Sequence, residues 1–255
     1  MKVFIHQLGC DKNRVDGEKL AARLAVCGYT FSDSTESADL IIVNTCGFIN
    51  SAKEESIDTV LEYAKTKKVA VAGCLAERYS TALKSDLKEA ALILGLCDTD
   101  TTVDSIKKRF PPNKKSGKCS GVRLISGPSH YAPIKTGEGC SNKCTYCAIP
   151  IIRGNYIDRP ETDILKEAKE LRKSGVKELL IVAQDTTAYG GRKGLPGLLR
   201  KISSLKDSFE WIRLMYCHPL GVTDDLISAM ADLPNLLPYI DMPLQHISDS
   251  ILKKM

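Results

Sequence analysis

Short, near-continuous apolar runs alternate with helical periods over the first 110 residues. Lys2 to Leu8, Asp39 to Thr45, Lys68 to Gly73 and Ala91 to Leu94 read as strands, and their apolar continuity predicts cover on both faces. Between them, Arg14 to Cys27 places apolar residues at 20, 21, 24 and 25 and stops at Gly28, while Ser51 with Glu54 three positions on reads as a capping box opening a second helix. A βαβα order of this kind predicts a parallel sheet. Residues 111–130 break the pattern with Pro111-Pro112, a Lys/Gly/Ser stretch and Gly127-Pro128-Ser129, the composition of a linker.

The alternation then restarts. Strands are expected at Ala132 to Thr136, Lys177 to Ala183, Glu210 to Tyr216 and Tyr239 to Leu244, with helices at Thr162 to Ser174, Leu195 to Leu205 and Thr223 to Leu233. A closed eight-unit β/α barrel takes about 250 residues, and residues 131–255 supply about half of that. The expected architecture is therefore α/β throughout. An open parallel-sheet domain over 1–110 and a basic linker over 111–130 precede the first part of a TIM-like β/α barrel over 131–255, which reads as truncated.

Composition sharpens this picture in two places. The longest apolar run, Ala90 to Cys97, falls well short of the roughly 18 residues of a membrane span. No signal-peptide core follows Met1 either, so a cytoplasmic, reducing compartment is expected. In such a compartment ten cysteines are read first as metal or redox ligands and only then as disulfides. Charge is nearly balanced, with 36 basic against 31 acidic residues, but residues 107–123 hold seven bases (Lys107, Lys108, Arg109, Lys114, Lys115, Lys118, Arg123) and no acid.

Cys140, Cys144 and Cys147 form a CxxxCxxC run directly after a predicted strand. Three thiolates so close, with no fourth Cys or His at zinc-finger spacing, fit a 4Fe-4S cluster held at three irons with one iron open. The alternative is a zinc site that borrows a distant ligand such as Cys119. Cys10, Cys46 and Cys74 are far apart in sequence, yet each follows the carboxyl end of a predicted parallel strand, the edge where open α/β sheets place ligands. Gly9, Gly47 and Gly73 flank them and allow tight turns. A second three-cysteine cluster is the reading, against three small buried apolar residues. Cys27, Cys97 and Cys119 are expected in core or linker, whereas Cys217, also past a strand, stands open between core and cavity. The four histidines show no triad or zinc spacing.

With Tyr146 before the last cysteine, this motif on a β/α barrel resembles the radical S-adenosylmethionine superfamily. The upstream domain with three dispersed cysteines narrows the resemblance to its methylthiotransferases. Asn44 to Ser56, Ala183 to Gly190 and Pro243 to Ser248 look like the branch that modifies an aspartate of small-subunit ribosomal protein S-twelve. The resemblance implies that the Cys140/Cys144/Cys147 cluster binds and cleaves S-adenosylmethionine, and that the Cys10/Cys46/Cys74 cluster carries or supplies sulfur. It also implies that Tyr146 lies near the adenine and that Gln184 and Asp185 contact the cofactor. A low-potential electron donor and a sulfur donor are implied partners, with no membrane. Two other readings remain open: a transfer-RNA methylthiotransferase, favoured by the basic stretch, and a non-catalytic iron-sulfur or electron-transfer module.

Overall fold

Valine, isoleucine and leucine cluster in the first strands because each strand is covered on both sides. In the computed structural model, which describes residues 1–113 and 122–255, β1 (Lys2–Gln7), β2 (Thr30–Phe31), β3 (Leu40–Thr45), β4 (Lys68–Gly73) and β5 (Leu92–Ile93) form one parallel sheet in the order β2-β1-β3-β4-β5. Period-two alternation splits β3 between two cores. Leu40 and Ile42 join Val3, Leu20, Leu24 and Ile106 on one face, while Ile41 and Val43 join Val60, Val69, Val71 and Leu75 on the other. The helices supplying these layers are α1 (Asp11–Val26), α2 (Asn50–Ala64), α3 (Cys74–Arg78), α4 (Ser80–Asp86) and α5 (Asp100–Arg109).

The chain divides into two compact units, Met1–Ser126 and Gly127–Met255. In the second, β6 (Tyr131–Lys135), β9 (Glu178–Val182), β10 (Trp211–Leu214) and β11 (Leu236–Ile240) form a parallel sheet in the order β11-β10-β9-β6. The short β7 (Gly137–Glu138) and β8 (Ile157–Asp158) pair antiparallel beside it. The helices here are α6 (Ile149–Arg153), α7 (Glu161–Lys173), α8 (Leu195–Ser203), α9 (Asp224–Asp232) and α10 (Asp249–Leu252). Two of these strands carry a proline: Pro133 lies in β6, and Pro238 in β11 where the register with β10 slips between Ile212 and Leu214. Among the described residues, no helix is long and apolar enough to cross a membrane.

Several expected boundaries move, each for a local reason. Helix α2 starts at Asn50 with Ile49 at the cap and no side-chain capping bond, so Ser51 lies inside the first turn, where a hydroxyl cannot cap. Helix α1 starts three residues earlier than the apolar period suggests, immediately after Cys10. Strand β11 ends at Ile240 instead of reaching Leu244, and Pro243, without an N–H, cannot extend a ladder. Helix α5 falls where no element was expected; Thr99 caps it by accepting from Thr102 N at 3.1 Å.

The basic stretch is not one solvated run either. Lys107, Lys108 and Arg109 form the last turn of α5, where cations suit the helix dipole. Arg123 is buried and pairs with the buried Glu18 of α1 at 3.3 Å, and Leu124 N and Ser126 N also donate to Glu18, at 3.1 and 2.7 Å. So residues 122–126 belong to the first unit. Cys119, Lys114, Lys115 and Lys118 lie outside the described residues.

Candidate functional site

Three strand ends build the first site. Cys10 is the extended residue that caps α1 after β1, Cys46 follows β3, and Cys74 opens α3 after β4. Since β1, β3 and β4 are adjacent parallel neighbours, their carboxyl ends share one edge of the sheet. The backbones meet closely there: a Cβ built on Gly9 would stand 2.9 Å from Cys46 Cβ, and one on Gly47 2.7 Å from Leu75 Cα. Gly73, at φ +96°, is a backbone only glycine adopts cheaply, and a Cβ there would meet Asn44 Oδ1 at 2.5 Å.

Two asparagines tie these ends together. Asn13, in the first turn of α1, donates to Thr45 O at 3.0 Å and Leu8 O at 3.3 Å, and its Oδ1 accepts from the Cys74 thiol at 3.3 Å. Asn44, in β3, donates to Asn13 O at 2.7 Å and Gln7 Oε1 at 2.8 Å and accepts from the Cys97 thiol at 3.1 Å. Cys46 N donates to Ser56 Oγ at 3.1 Å, whose own proton faces Cys46 O and Ala52 O at 3.0 and 2.7 Å. Asn44 and Ser56 lie in the stretch singled out from the sequence. Asn13 was missed, although a polar residue three places after Cys10 at a helix start was the available signal.

The second site is local. Gly139, at φ +73°, turns the chain out of β7, and a Cβ there would strike Asn155 O at 2.2 Å. Cys140 is buried, and its N–H donates to Gly154 O at 3.0 Å; Cys147 N closes a turn on Cys144 O at 3.1 Å. Burial pushes the Cys140 thiol up, the Asn142 N–H works against this, and the nearby Asp185, Cys147 and Cys144 add to the rise. Tyr146 is half exposed; burial and Cys144 raise its hydroxyl.

Glu138, absent from the expected site, is a hub. Its carboxylate accepts from Lys135 Nζ, from Arg153 and Gln184 Nε2 at 2.9 Å each, and from Gly139 N at 3.2 Å. Burial acts to raise its carboxyl, but the Lys135 and Arg153 cations outweigh it and hold it down at about 2. Gln184 and Asp185, expected as cofactor contacts, both have protein partners. Asp185 Oδ2 accepts from Asn142 at 2.9 Å and pairs with Arg192 at 3.1 Å, and its Oδ1 accepts from Thr187 at 2.6 Å.

Of the remaining cysteines, Cys27 caps the end of α1 and packs against the first unit's core, and Cys97 is buried there. Cys217 is buried past β10; desolvation, with Asp185 and Asp241 nearby, pushes its thiol up to about 12. Among the described residues, no three His, Cys, Asp or Glu side chains converge tightly enough for a single metal ion. A four-iron cluster is wider than one ion and takes one thiolate per iron from three separated cysteines, leaving one iron open. Both donor sets, three thiols at one sheet edge and three on one loop, fit such a group in kind and number.

Comparison with known proteins agrees with this division. Residues 2–95 match the family described as Uncharacterized protein family UPF0004, and residues 134–255 match the Radical SAM superfamily. Relatives named ribosomal protein uS12 methylthiotransferase RimO, from Clostridium tetani, Clostridioides difficile and Caldicellulosiruptor saccharolyticus, are 46%, 44% and 42% identical across 100% of this chain. The chain spans about three fifths of their length, 61%, 61% and 62% respectively. The radical S-adenosylmethionine methyltransferase TsrM from Kitasatospora setae, solved with cobalamin and a [4Fe-4S] cluster, superposes with a TM-score of 0.65 at 12% identity. That match covers 98% of this chain and 62% of TsrM, and it shows a shared fold. Along its whole length the chain is therefore similar to proteins named as methylthiotransferases, with the Radical SAM superfamily matched over its second unit.

Proposed function

We propose that this chain carries the two iron-sulfur centres of an enzyme that methylthiolates the β-carbon of an aspartate in small-subunit ribosomal protein S-twelve. The observation that carries this reading is the pair of three-cysteine sets, each at strand carboxyl ends, in a chain 46% identical to a relative named for that activity. Cys140, Cys144 and Cys147 would hold one 4Fe-4S cluster and Cys10, Cys46 and Cys74 the other. A cluster with an open iron supplies the electron and the binding point for cleavage of S-adenosylmethionine. The chain's own residues would orient that chemistry: Cys140 is fixed in a buried turn, Glu138 neutralises two cations beside it, and half-exposed Tyr146 offers a ring face for the adenine.

The partners of this reading are the ribosomal protein or the subunit carrying it, a low-potential electron donor and a sulfur donor, all met in the cytoplasm. The transfer-RNA reading rested on the basic stretch. Among its described residues, Arg123 is sequestered with Glu18, and Lys107, Lys108 and Arg109 end a helix.

The test has two arms. Anaerobic reconstitution should load about eight irons per chain, and alanine at either three-cysteine set should remove about half; bound zinc in place of iron, or no iron, defeats the reading. The full-length enzyme, given S-adenosylmethionine, sulfide and reductant, should add a methylthio mass to an S-twelve loop peptide and not to transfer RNA. The reverse outcome would reassign the substrate.

A further inference from the structure

Gln184 and Asp185 stand side by side just past the end of β9, and Asp185 keeps an extended backbone, so their side chains leave the chain in different directions. Each takes hold of a different arm of the three-cysteine loop. Gln184 Nε2 reaches Glu138, two residues before Cys140; Asp185 Oδ2 reaches Asn142, two residues after it. We infer that this pair is a clamp that brackets Cys140 and fixes its sulfur, and that Gln184 and Asp185 are positioning residues acting through the loop. The inference rests on the proposed cluster at Cys140, Cys144 and Cys147.

The distribution of the bonds supports it: both Asp185 oxygens already have protein donors, Oδ1 from Thr187 at 2.6 Å and Oδ2 from Asn142 and Arg192 at 2.9 and 3.1 Å. Arg192 also donates to Asn142 Oδ1 at 2.9 Å, so both ends of that amide are held. The direction of every bond is set by chemistry, because a carboxylate only accepts and a guanidinium only donates. Asp185 is almost wholly buried, where a charge-assisted hydrogen bond is strong and a broken one leaves an unpaired charge.

That polarity permits an exchange test. In Asp185→Asn the amide still accepts from Thr187 but no longer carries the charge that faces Asn142 and Arg192. In Asn142→Asp two carboxylates face each other. In the double variant, the amide at 185 donates to the carboxylate at 142, which keeps Arg192 as its cation, and the clamp is rebuilt with its direction reversed. A residue that touched the cofactor would not be rescued in this way.

Two readouts, one without metal and one with it, are made in full chains. In metal-free protein, alkylation of Cys140, followed by peptide mass and compared at equal thiolate fraction, should accelerate roughly tenfold in Asn142→Asp and several-fold in Asp185→Asn, the scale of a lost charge-assisted bond. It should return to within about twofold of the parent in the double variant. In reconstituted protein with alanine at Cys10, Cys46 and Cys74, the paramagnetic resonance spectrum of the reduced cluster, recorded without S-adenosylmethionine, should broaden in the single variants and recover in the double. Unchanged alkylation in the single variants, or no recovery in the double, overturns the clamp. So does a variant that loses cofactor affinity while its cofactor-free spectrum matches the parent. Should the parent hold no iron at this loop, the cluster reading fails on its own, and the alkylation series still decides the clamp.

Discussion

The two cysteine sets reach similar donor inventories by opposite routes. In the second unit, Cys140, Cys144 and Cys147 sit within eight residues of chain, and local turns such as the Cys147–Cys144 backbone bond bring them together. In the first, Cys10, Cys46 and Cys74 come from three strands, and only the registers of β1, β3 and β4 bring them to one edge. A set assembled by a sheet depends on every contact that fixes the strand ends. A set assembled by a loop depends on the few bonds that hold that loop.

The most damaging way to probe the contrast is at the two glycines. Gly73→Ala must strain a left-handed backbone and push Asn44 aside, and Gly139→Ala must do the same against Asn155 O; each should cost about 3–5 kcal/mol. Iron should then disappear selectively, from the Cys10/Cys46/Cys74 set in the first variant and from the loop set in the second. Metal analysis combined with alanine at the opposite set reads this out. Loss from both sets in either variant would end the contrast.

Next in size is Asn13→Ala. It removes two donors that reach separate strand ends and the acceptor of Cys74, for about 1–3 kcal/mol. Hydrogen exchange should show faster opening at Leu8–Cys10 and Thr45–Cys46 together. Acceleration at only one of the two would mean that the ends are held independently.

Acid should separate the units by smaller increments. Burial lowers the His6 imidazole, against Glu55 and Glu62, so the folded first unit prefers the neutral ring. The unfolded chain therefore binds the proton first, and this contribution is present above the usual pKa near 6.5 and fades as pH falls through the folded value. Glu138 is held at about 2, against 4.5 for the free side chain. Its contribution in metal-free protein is complete above about 4.5 and fades only as pH falls toward 2. Between pH 7.5 and 5.5, exchange protection should weaken in β1 while fluorescence of the single tryptophan, Trp211 in β10, reports an unchanged second unit. Replacing His6 with Gln should flatten the first response.

The smallest effect expected is on metal content in Cys97→Ala and Cys217→Ala. Cys97 donates to Asn44 and Cys217 lies buried with its thiol held protonated, so both are framework, and iron per chain should not change. A drop of one cluster in either variant would add a ligand that neither set now includes.

How much of this was legible in the sequence follows the same division. CxxxCxxC announces itself because local spacing is written directly in the chain. The dispersed set was legible only through the strands, since each cysteine ends an apolar run, and those runs were the safest elements to read. What could not be read were bonds between side chains distant in sequence. Nothing near Gln184 signals Glu138, and nothing near Asp185 signals Asn142, because a strand end meets a loop 43 residues away only after β6 and β9 pair. The two-residue β2 and the capped α5 were also missed. One is too short to show a period, and the other depends on Thr99 in a stretch where polar residues mask the helix.

The proline in the last strand of the second sheet bears on how that strand pairs. Pro238 has no backbone N–H to give a ladder, and it lies in β11 where the register with β10 slips between Ile212 and Leu214. The irregular step is thus written into the strand itself, and replacing Pro238 with valine should bring the pairing with β10 closer to an even step.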